Sequence, residues 1–160
     1  MDVDGVLTDG TVRIDAQGSE SKSLSFADIM GVSLARRAGL KLALVSGEDG
    51  PVLRRIAAKL GITDVYGGRK DKAAALRDFA GKHDAALSEV CFIGDDVNDL
   101  SAFAICGLSV APCTAHDAAK SRADRVTKRP AGAGAVREIL DALVDEAGGG
   151  LRTDEGAIAR

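Results

Sequence analysis

Two carboxylates two residues apart open the chain, in Asp2-Val3-Asp4-Gly5-Val6-Leu7-Thr8-Asp9-Gly10. Where backbone leaves a β-strand in extended form, alternate side chains face the same way, so Asp2 and Asp4 can converge on one point. Two acids there must share a cation or a proton. Asp-Gly and Asp-x-Asp also occur in ordinary turns, but a second acidic cluster, Gly94-Asp95-Asp96-Val97-Asn98-Asp99, follows the apolar run Val90-Cys91-Phe92-Ile93. An acid pair capping an apolar strand is costly to bury without a partner. Between the clusters, Ser46-Gly47 follows another apolar run and Lys72 opens a helical stretch. Each has a plain structural alternative: Ser46-Gly47 as a turn, Lys72 as a solvated helix residue, Asp99 as an acid favoured in the first turn of a helix.

Short apolar β-runs alternate with amphipathic helices along the rest of the chain. Val12, Ile14, Leu24 and Phe26 alternate with polar residues around Ala16-Gln17-Gly18, which predicts a β-hairpin over about residues 11–26. A helix over 31–38 stops at Gly39, and a strand over 40–45 ends at Ser46-Gly47. Pro51 starts a helix whose buried stripe is Val52, Leu53, Ile56, Ala57 and Leu60, closed by Gly61. A short strand near Val65-Tyr66, a helix over 72–82, a strand over 90–93, a helix over 99–106 and a strand over 108–111 follow. A helix over 115–123, the run Arg125-Val126-Thr127 and a helix over 136–146 complete the pattern. Such alternation implies an α/β fold of the Rossmann-like kind, a mostly parallel sheet with helices on both faces, whose ligands bind beyond the carboxyl ends of the strands. Asp2, Ser46 and Asp95 all fall at such ends.

With 160 residues, 46% of them hydrophobic and 28% charged, the chain suits one core and is short for two. One domain is expected over 1–146, with the glycine-rich, aperiodic stretch 147–160 as a disordered tail. A net charge of −3 with dispersed Lys and Arg gives no nucleic-acid footprint. No apolar run approaches the ~20 residues that span a bilayer, and Met1 is followed by an acid, so a cytoplasmic protein without a membrane partner is expected. The three cysteines, Cys91, Cys106 and Cys113, have no C-x-x-C spacing and suit a reducing compartment as small core apolars. His83 and His116 lie too far apart for a metal pair and read as surface or capping residues, and Arg36-Arg37, Arg54-Arg55 and Arg69-Lys70 as helix or loop surface charges, some of which could meet a ligand carboxylate.

The order of the polar sites, namely the acidic opening, Ser46 after a strand, Lys72 at a helix start and Gly-Asp-Asp-x-Asn-Asp after another strand, resembles the haloacid dehalogenase superfamily of phosphohydrolases. Within it the chain is similar to the branch without a large cap domain, which holds phosphatases of 3-deoxy-octulosonate 8-phosphate and acylneuraminate 9-phosphate. Asp2–Gly10, the hairpin, Asp71-Lys72, Gly94–Asp99 and the stretch Gly132–Glu138 stand where that branch has equivalents, covering about residues 1–145. The resemblance implies that Asp2 is the nucleophile and forms an aspartyl-phosphate, and that Asp4 protonates the leaving oxygen and then deprotonates water. It implies Mg²⁺ held by Asp2, Asp95 and the backbone carbonyl of Asp4, with Asp96, Asn98 and Asp99 behind these ligands. An all-oxygen ligand set leaving room for waters and phosphate suits that ion. Ser46, Gly47 and Lys72 would bind the phosphoryl oxygens.

The resemblance also implies a small sugar phosphate as substrate and a homotetramer built around the hairpins, neighbouring subunits supplying the lid. Glu48 after Ser46-Gly47 and Lys59 one helix later look more like the acylneuraminate and related nonulosonate enzymes than the octulosonate ones, and favour a nonulosonate 9-phosphate; a solvated Glu–Lys pair is the plain alternative. One departure stands out: the family's nucleophile follows a full apolar strand, whereas only Met1 precedes Asp2. One residue cannot make a strand, so a late start or an excised fragment is expected, or a sheet without its usual centre. Two other classes compete. A non-catalytic oligomerisation domain, like those fused to cytidylyltransferases, would lack turnover of p-nitrophenyl phosphate with Mg²⁺, and a receiver domain would lack Asp4.

Overall fold

Turn and cap residues set the element boundaries. The computed structural model describes residues 1–148, so the expected tail falls, from residue 149 onward, outside the described residues. After the acidic opening comes an antiparallel hairpin, β1 (Arg13–Ile14) and β2 (Glu20–Ser21), with Arg13 opposite Ser21. Asp15 closes its turn by accepting from the N–H groups of Gln17 and Ser19. Then follow α1 (Phe26–Arg37), β3 (Ala43–Val45), α2 (Pro51–Leu60), β4 (Asp64–Tyr66), α3 (Lys72–Lys82) and β5 (Cys91–Ile93). A 3₁₀ turn (Val97–Asp99) leads into α4 (Leu100–Phe103), β6 (Leu108–Ala111), α5 (Asp117–Arg122), β7 (Arg125–Val126) and α6 (Ala135–Glu146).

The hairpin is shorter than expected. Phe26 belongs to α1, because the Ser25 side chain accepts from the Ala27 N–H and caps the helix five residues earlier than residue 31. The helix expected over 99–106 divides in the same way: Asp99 ends the 3₁₀ turn and the α-helix is one short turn. His116 caps α5, its Nδ1 accepting from Ala118 N–H. His83 is more than a surface residue, since its Nε2 lies 2.7 Å from Asp64 Oδ2, while Lys82 pairs with the other oxygen of the same carboxylate. Arg36 donates to the Leu60 carbonyl and packs over Gly61, so it ties α1 to the end of α2 instead of standing free.

Every pairing between β3 and β4 and among β5, β6 and β7 is parallel, and the two half-sheets meet through the first two residues. The Met1 amine donates to Ala43 O at 3.0 Å, Val45 N–H to Met1 O at 2.9 Å, and Asp2 N–H to Ile93 O at 2.9 Å. Met1–Asp2 thus stands where a central strand would run. Burial pushes the Met1 amine down to about 6. Behind Met1, between β3 and β5, an apolar cavity of about 330 Å³ is lined by Leu42, Phe79, Cys91 and Leu140 among others.

The period of two along each strand divides the core between two faces. Leu44, Ile93 and Val110 pack with Val32 of α1, Ile56 of α2 and Val136 and Ile139 of α6. Their neighbours Val45, Phe92 and Ala111 point the other way, onto Leu76 of α3, Phe103 of α4 and Ala119 of α5. The many alanines in these interfaces bring the helices close to the sheet, and Phe92 meets Phe103 edge-on at 6.1 Å. The carboxyl end of β3 leads into Ser46 and that of β5 into Gly94-Asp95.

Candidate active site

The first loop is wound tightly. Leu7 and Thr8 both donate their backbone N–H to Val3 O at 3.0 Å, and the buried Thr8 hydroxyl accepts from the N–H groups of Gly5 and Gly10. Gly5 turns the chain at φ +77°, where a Cβ would collide with the Asp95 carboxylate. That absence of a side chain lets the second acidic cluster close over the first.

Lys72 fixes the geometry beneath them. Its ammonium is fully buried, 2.7 Å from Asp2 Oδ2 and 2.5 Å from Asp99 Oδ1. Asp71 caps α3 and so delivers Lys72 in the first turn, its side chain accepting from Ala74 N–H. The other oxygen of Asp99 accepts from the N–H groups of Asp95 and Asp96, so both oxygens of that carboxylate are engaged. Asp99 therefore does not merely begin a helix. Burial alone would lower Lys72, but the two carboxylates outweigh it and the net shift is upward. One ammonium between two buried acids leaves an excess negative charge, and burial, with Asp99 as neighbour, pushes Asp2 up despite Lys72.

Asp95 is pushed up to about 7, first by burial and then by Asp2 and Asp99. Oxygens of Asp2, Asp95 and Asp99 lie within 4.8 Å of one another. Asp99 accepts from three donors and Asp2 from two, Lys72 and the Val3 N–H, so Asp2 and Asp95 are the carboxylates with more capacity left for a cation, and a hard divalent ion would relieve the charge crowding. The donor set fits Mg²⁺.

A cavity of about 460 Å³ opens over this centre, with Asp4, Ser46, Gly47 and Glu48 on its walls beside Asp2 and Asp95. Ser46 is buried at the end of β3, its N–H donating to Tyr66 O and its hydroxyl accepting from Glu48 N–H. Asp96 and Asn98 differ from the expectation: they are exposed and line the cavity instead of lying behind the acids. The reason is the 3₁₀ turn, which sends only Asp99 inward; Asp96 uses Oδ1 to accept from its neighbour Val97 N–H. Lys59 is not on this cavity. It lines a groove of about 750 Å³ between β2 and α2, next to a pocket of about 260 Å³ that holds Glu48, and Glu20 and Lys22 border both.

Two further lysines stand on these walls. Lys70 lines the acidic cavity, although the Arg69-Lys70 pair reads as surface charge. Lys22, just past β2, sets its Nζ 2.6 Å from Asp4 Oδ1. An isolated Lys is solvated by default, so nothing local marks either. The glycine-rich stretch packs against the first loop: Gly132 donates to Val6 O at 3.1 Å, and at φ +64° it lies against the Thr8–Asp9 backbone, where a side chain would clash. Buried Asp28 of α1 accepts from the N–H groups of Gly134 and Arg137, holding the start of α6 in place.

Comparison with known proteins identifies the family and the fold. Residues 48–140 match the family of haloacid dehalogenase-like hydrolases. The 3-deoxy-D-manno-octulosonate 8-phosphate phosphatase KdsC of Haemophilus influenzae is 39% identical over 147 residues, 92% of this chain and 82% of that protein. The cobalt-bound structure of the Haemophilus influenzae phosphatase superposes with a TM-score of 0.87 at 39% identity, covering 92% of this chain and 86% of the other. A Moraxella catarrhalis 3-deoxy-D-manno-octulosonate 8-phosphate phosphatase, solved with magnesium ion, phosphate ion and KDO, gives a TM-score of 0.87 at 32% identity over 91% of this chain and 83% of that one. Identity at this level over nine-tenths of the chain goes with a shared fold, a parallel sheet covered on both faces and a small hairpin after the first acids. The chain belongs to the haloacid dehalogenase-like hydrolases.

Proposed function

We propose that the chain is a Mg²⁺-dependent phosphatase of 3-deoxy-D-manno-octulosonate 8-phosphate that works through an aspartyl-phosphate on Asp2. The observation that carries this reading is the buried ammonium of Lys72 between Asp2 and Asp99, with Asp95 converging on the same point. Such an arrangement is expensive to bury for structure alone. The octulosonate arm of the sequence expectation is carried forward because the relatives named above act on that sugar acid.

In this reading Asp2 attacks phosphorus while Asp4 gives its proton to the leaving sugar oxygen; water then attacks the aspartyl-phosphate and returns a proton to Asp4. Lys72 orients the Asp2 carboxylate and, with Ser46 and the backbone at Gly47, donates to phosphoryl oxygens as charge redistributes. Asp99 holds Lys72 and, through two backbone N–H groups, the loop carrying Asp95. A divalent cation held by Asp2, Asp95 and the Asp4 carbonyl would neutralise the carboxylates against the phosphate dianion. Val12 and Ile14 of the hairpin and Phe26 and Met30 of α1 are exposed apolar residues that support assembly through the hairpins, as a homotetramer. Three free cysteines and the absence, among the described residues, of a helix long and apolar enough to cross a membrane support a cytoplasmic enzyme. The net charge of −3 supports a small molecule and not a nucleic acid as partner.

A second reading, a nonulosonate 9-phosphate as substrate, is favoured by Glu48 on the wall of the acidic cavity. The test is a panel of the octulosonate 8-phosphate, a nonulosonate 9-phosphate and simple hexose phosphates, each with Mg²⁺ and with EDTA. The octulosonate ester should give the highest kcat/KM and EDTA should abolish turnover. Preference for the nonulosonate ester would transfer the assignment to that sugar, and a folded protein inactive on every ester would favour the non-catalytic domain.

A further inference from the structure

The hairpin strands β1 and β2 are exposed along their length, yet the next lysine is not: only 11% of the Lys22 side chain reaches solvent, and its Nζ sits 2.6 Å from Asp4 Oδ1. A lysine gains nothing by withdrawing from water unless its ammonium finds an anion. Glu20 and Glu48 line the same pocket, but the ion pair is made with Asp4, the residue that must handle protons. Among the described residues, no backbone N–H donates to the Asp4 side chain. With Oδ1 paired to Lys22, Oδ2 is the oxygen left to face the cavity over Asp2 and Asp95.

We infer that Lys22 is a positioning residue for Asp4, holding one carboxylate oxygen so that the other faces the leaving oxygen, and that the hairpin thereby takes part in the chemistry as well as in assembly. This rests on the phosphatase reading above. In the first step the Asp2–phosphorus bond forms, the bond from phosphorus to the sugar oxygen breaks, and the proton on Asp4 passes to that oxygen. An alkyl oxygen needs the proton; p-nitrophenolate leaves without one. Loss of positioning should therefore be felt by alkyl esters and spared by aryl esters, a contrast that a merely structural or phosphate-binding role would not produce.

The experiment compares wild type, K22M, K22Q and K22R on the best alkyl ester of the sugar-phosphate panel and on p-nitrophenyl phosphate, reading kcat/KM, which reports the steps through the first phosphoryl transfer. K22M and K22Q should lose about 10²-fold on the alkyl ester, the scale of a positioned general acid, and stay within about threefold on the aryl ester. K22R should recover most of the alkyl activity. Equal losses on both esters, or an unchanged alkyl rate, would overturn the inference while leaving the phosphatase reading in place. A wild type inactive on both esters would overturn that reading and the inference with it. Using two neutral variants keeps the comparison open where one of them folds poorly.

Discussion

Replacing Lys72 with Met removes the charge and nearly keeps the length. Each of its two ion pairs, at 2.7 and 2.5 Å, corresponds to roughly 6 kcal/mol of attraction at an effective dielectric constant of about 20. Most of that offsets the desolvation of three charges, and breaking such a buried set costs about 3–5 kcal/mol in practice. For a domain of this size that is a drop in Tm of roughly 6–20 °C, read by scanning calorimetry at pH 7.5 with EDTA. The deficit should narrow toward pH 5. Without Lys72, Asp2 and Asp99 repel each other, and Asp2, already pushed up by burial, takes a proton more readily and then needs no cation. Mg²⁺ should stabilise the variant more than wild type, because the cation supplies the missing positive charge. Adding Asp99→Asn should cost less than the sum of the single losses, with a coupling of about 1–3 kcal/mol. A shift under about 2 °C, or a deficit that ignores pH, would refute the proposition that one ammonium holds both acids.

Other expectations follow from neighbouring contacts. Asp95, pushed up to about 7, carries a proton below that pH, so Mg²⁺ must displace it; the apparent Kd measured by calorimetry should rise about tenfold per unit of pH below 6.5 and stay flat above 8. Gly5→Ala places a side chain at φ +77° against the Asp95 carboxylate, and should cost about 1–2 kcal/mol from backbone strain alone while weakening Mg²⁺ binding further. Asp28→Ala leaves the N–H groups of Gly134 and Arg137 without their acceptor at the start of α6; a loss of about 1–3 kcal/mol in denaturant melts is expected, with kcat affected less than stability.

The bounds of α2 and α3 could be read directly, because Pro51, Gly61 and Asp71 are local signals whose effect is decided within one helical turn. The signal for α1 is local too, since Ser25-Phe26-Ala27-Asp28 has the form of a helix start, but the apparent alternation through Leu24 and Phe26 conceals it. Asp2, Asp4, Ser46 and Asp95 were legible as polar residues ending apolar runs. What could not be read are relations across sequence distance. The burial of Asp99 depends on Lys72, 27 residues away, and that of Lys22 depends on how the hairpin folds back over Asp4. Similarly, the exposed stance of Asp96 and Asn98 depends on a single 3₁₀ turn that acidic composition does not specify.

The seam at Met1–Asp2 has a mechanical consequence. Three hydrogen bonds there join the half-sheet β3–β4 to β5–β6–β7, and the last of them belongs to the residue assigned to receive the phosphoryl group. Any sliding of one half past the other would be transmitted to the reacting carboxylate without an intervening joint. Rigidity of the scaffold and aim of the nucleophile are therefore one property, and substitutions that loosen either half should disturb the chemistry before they unfold the protein.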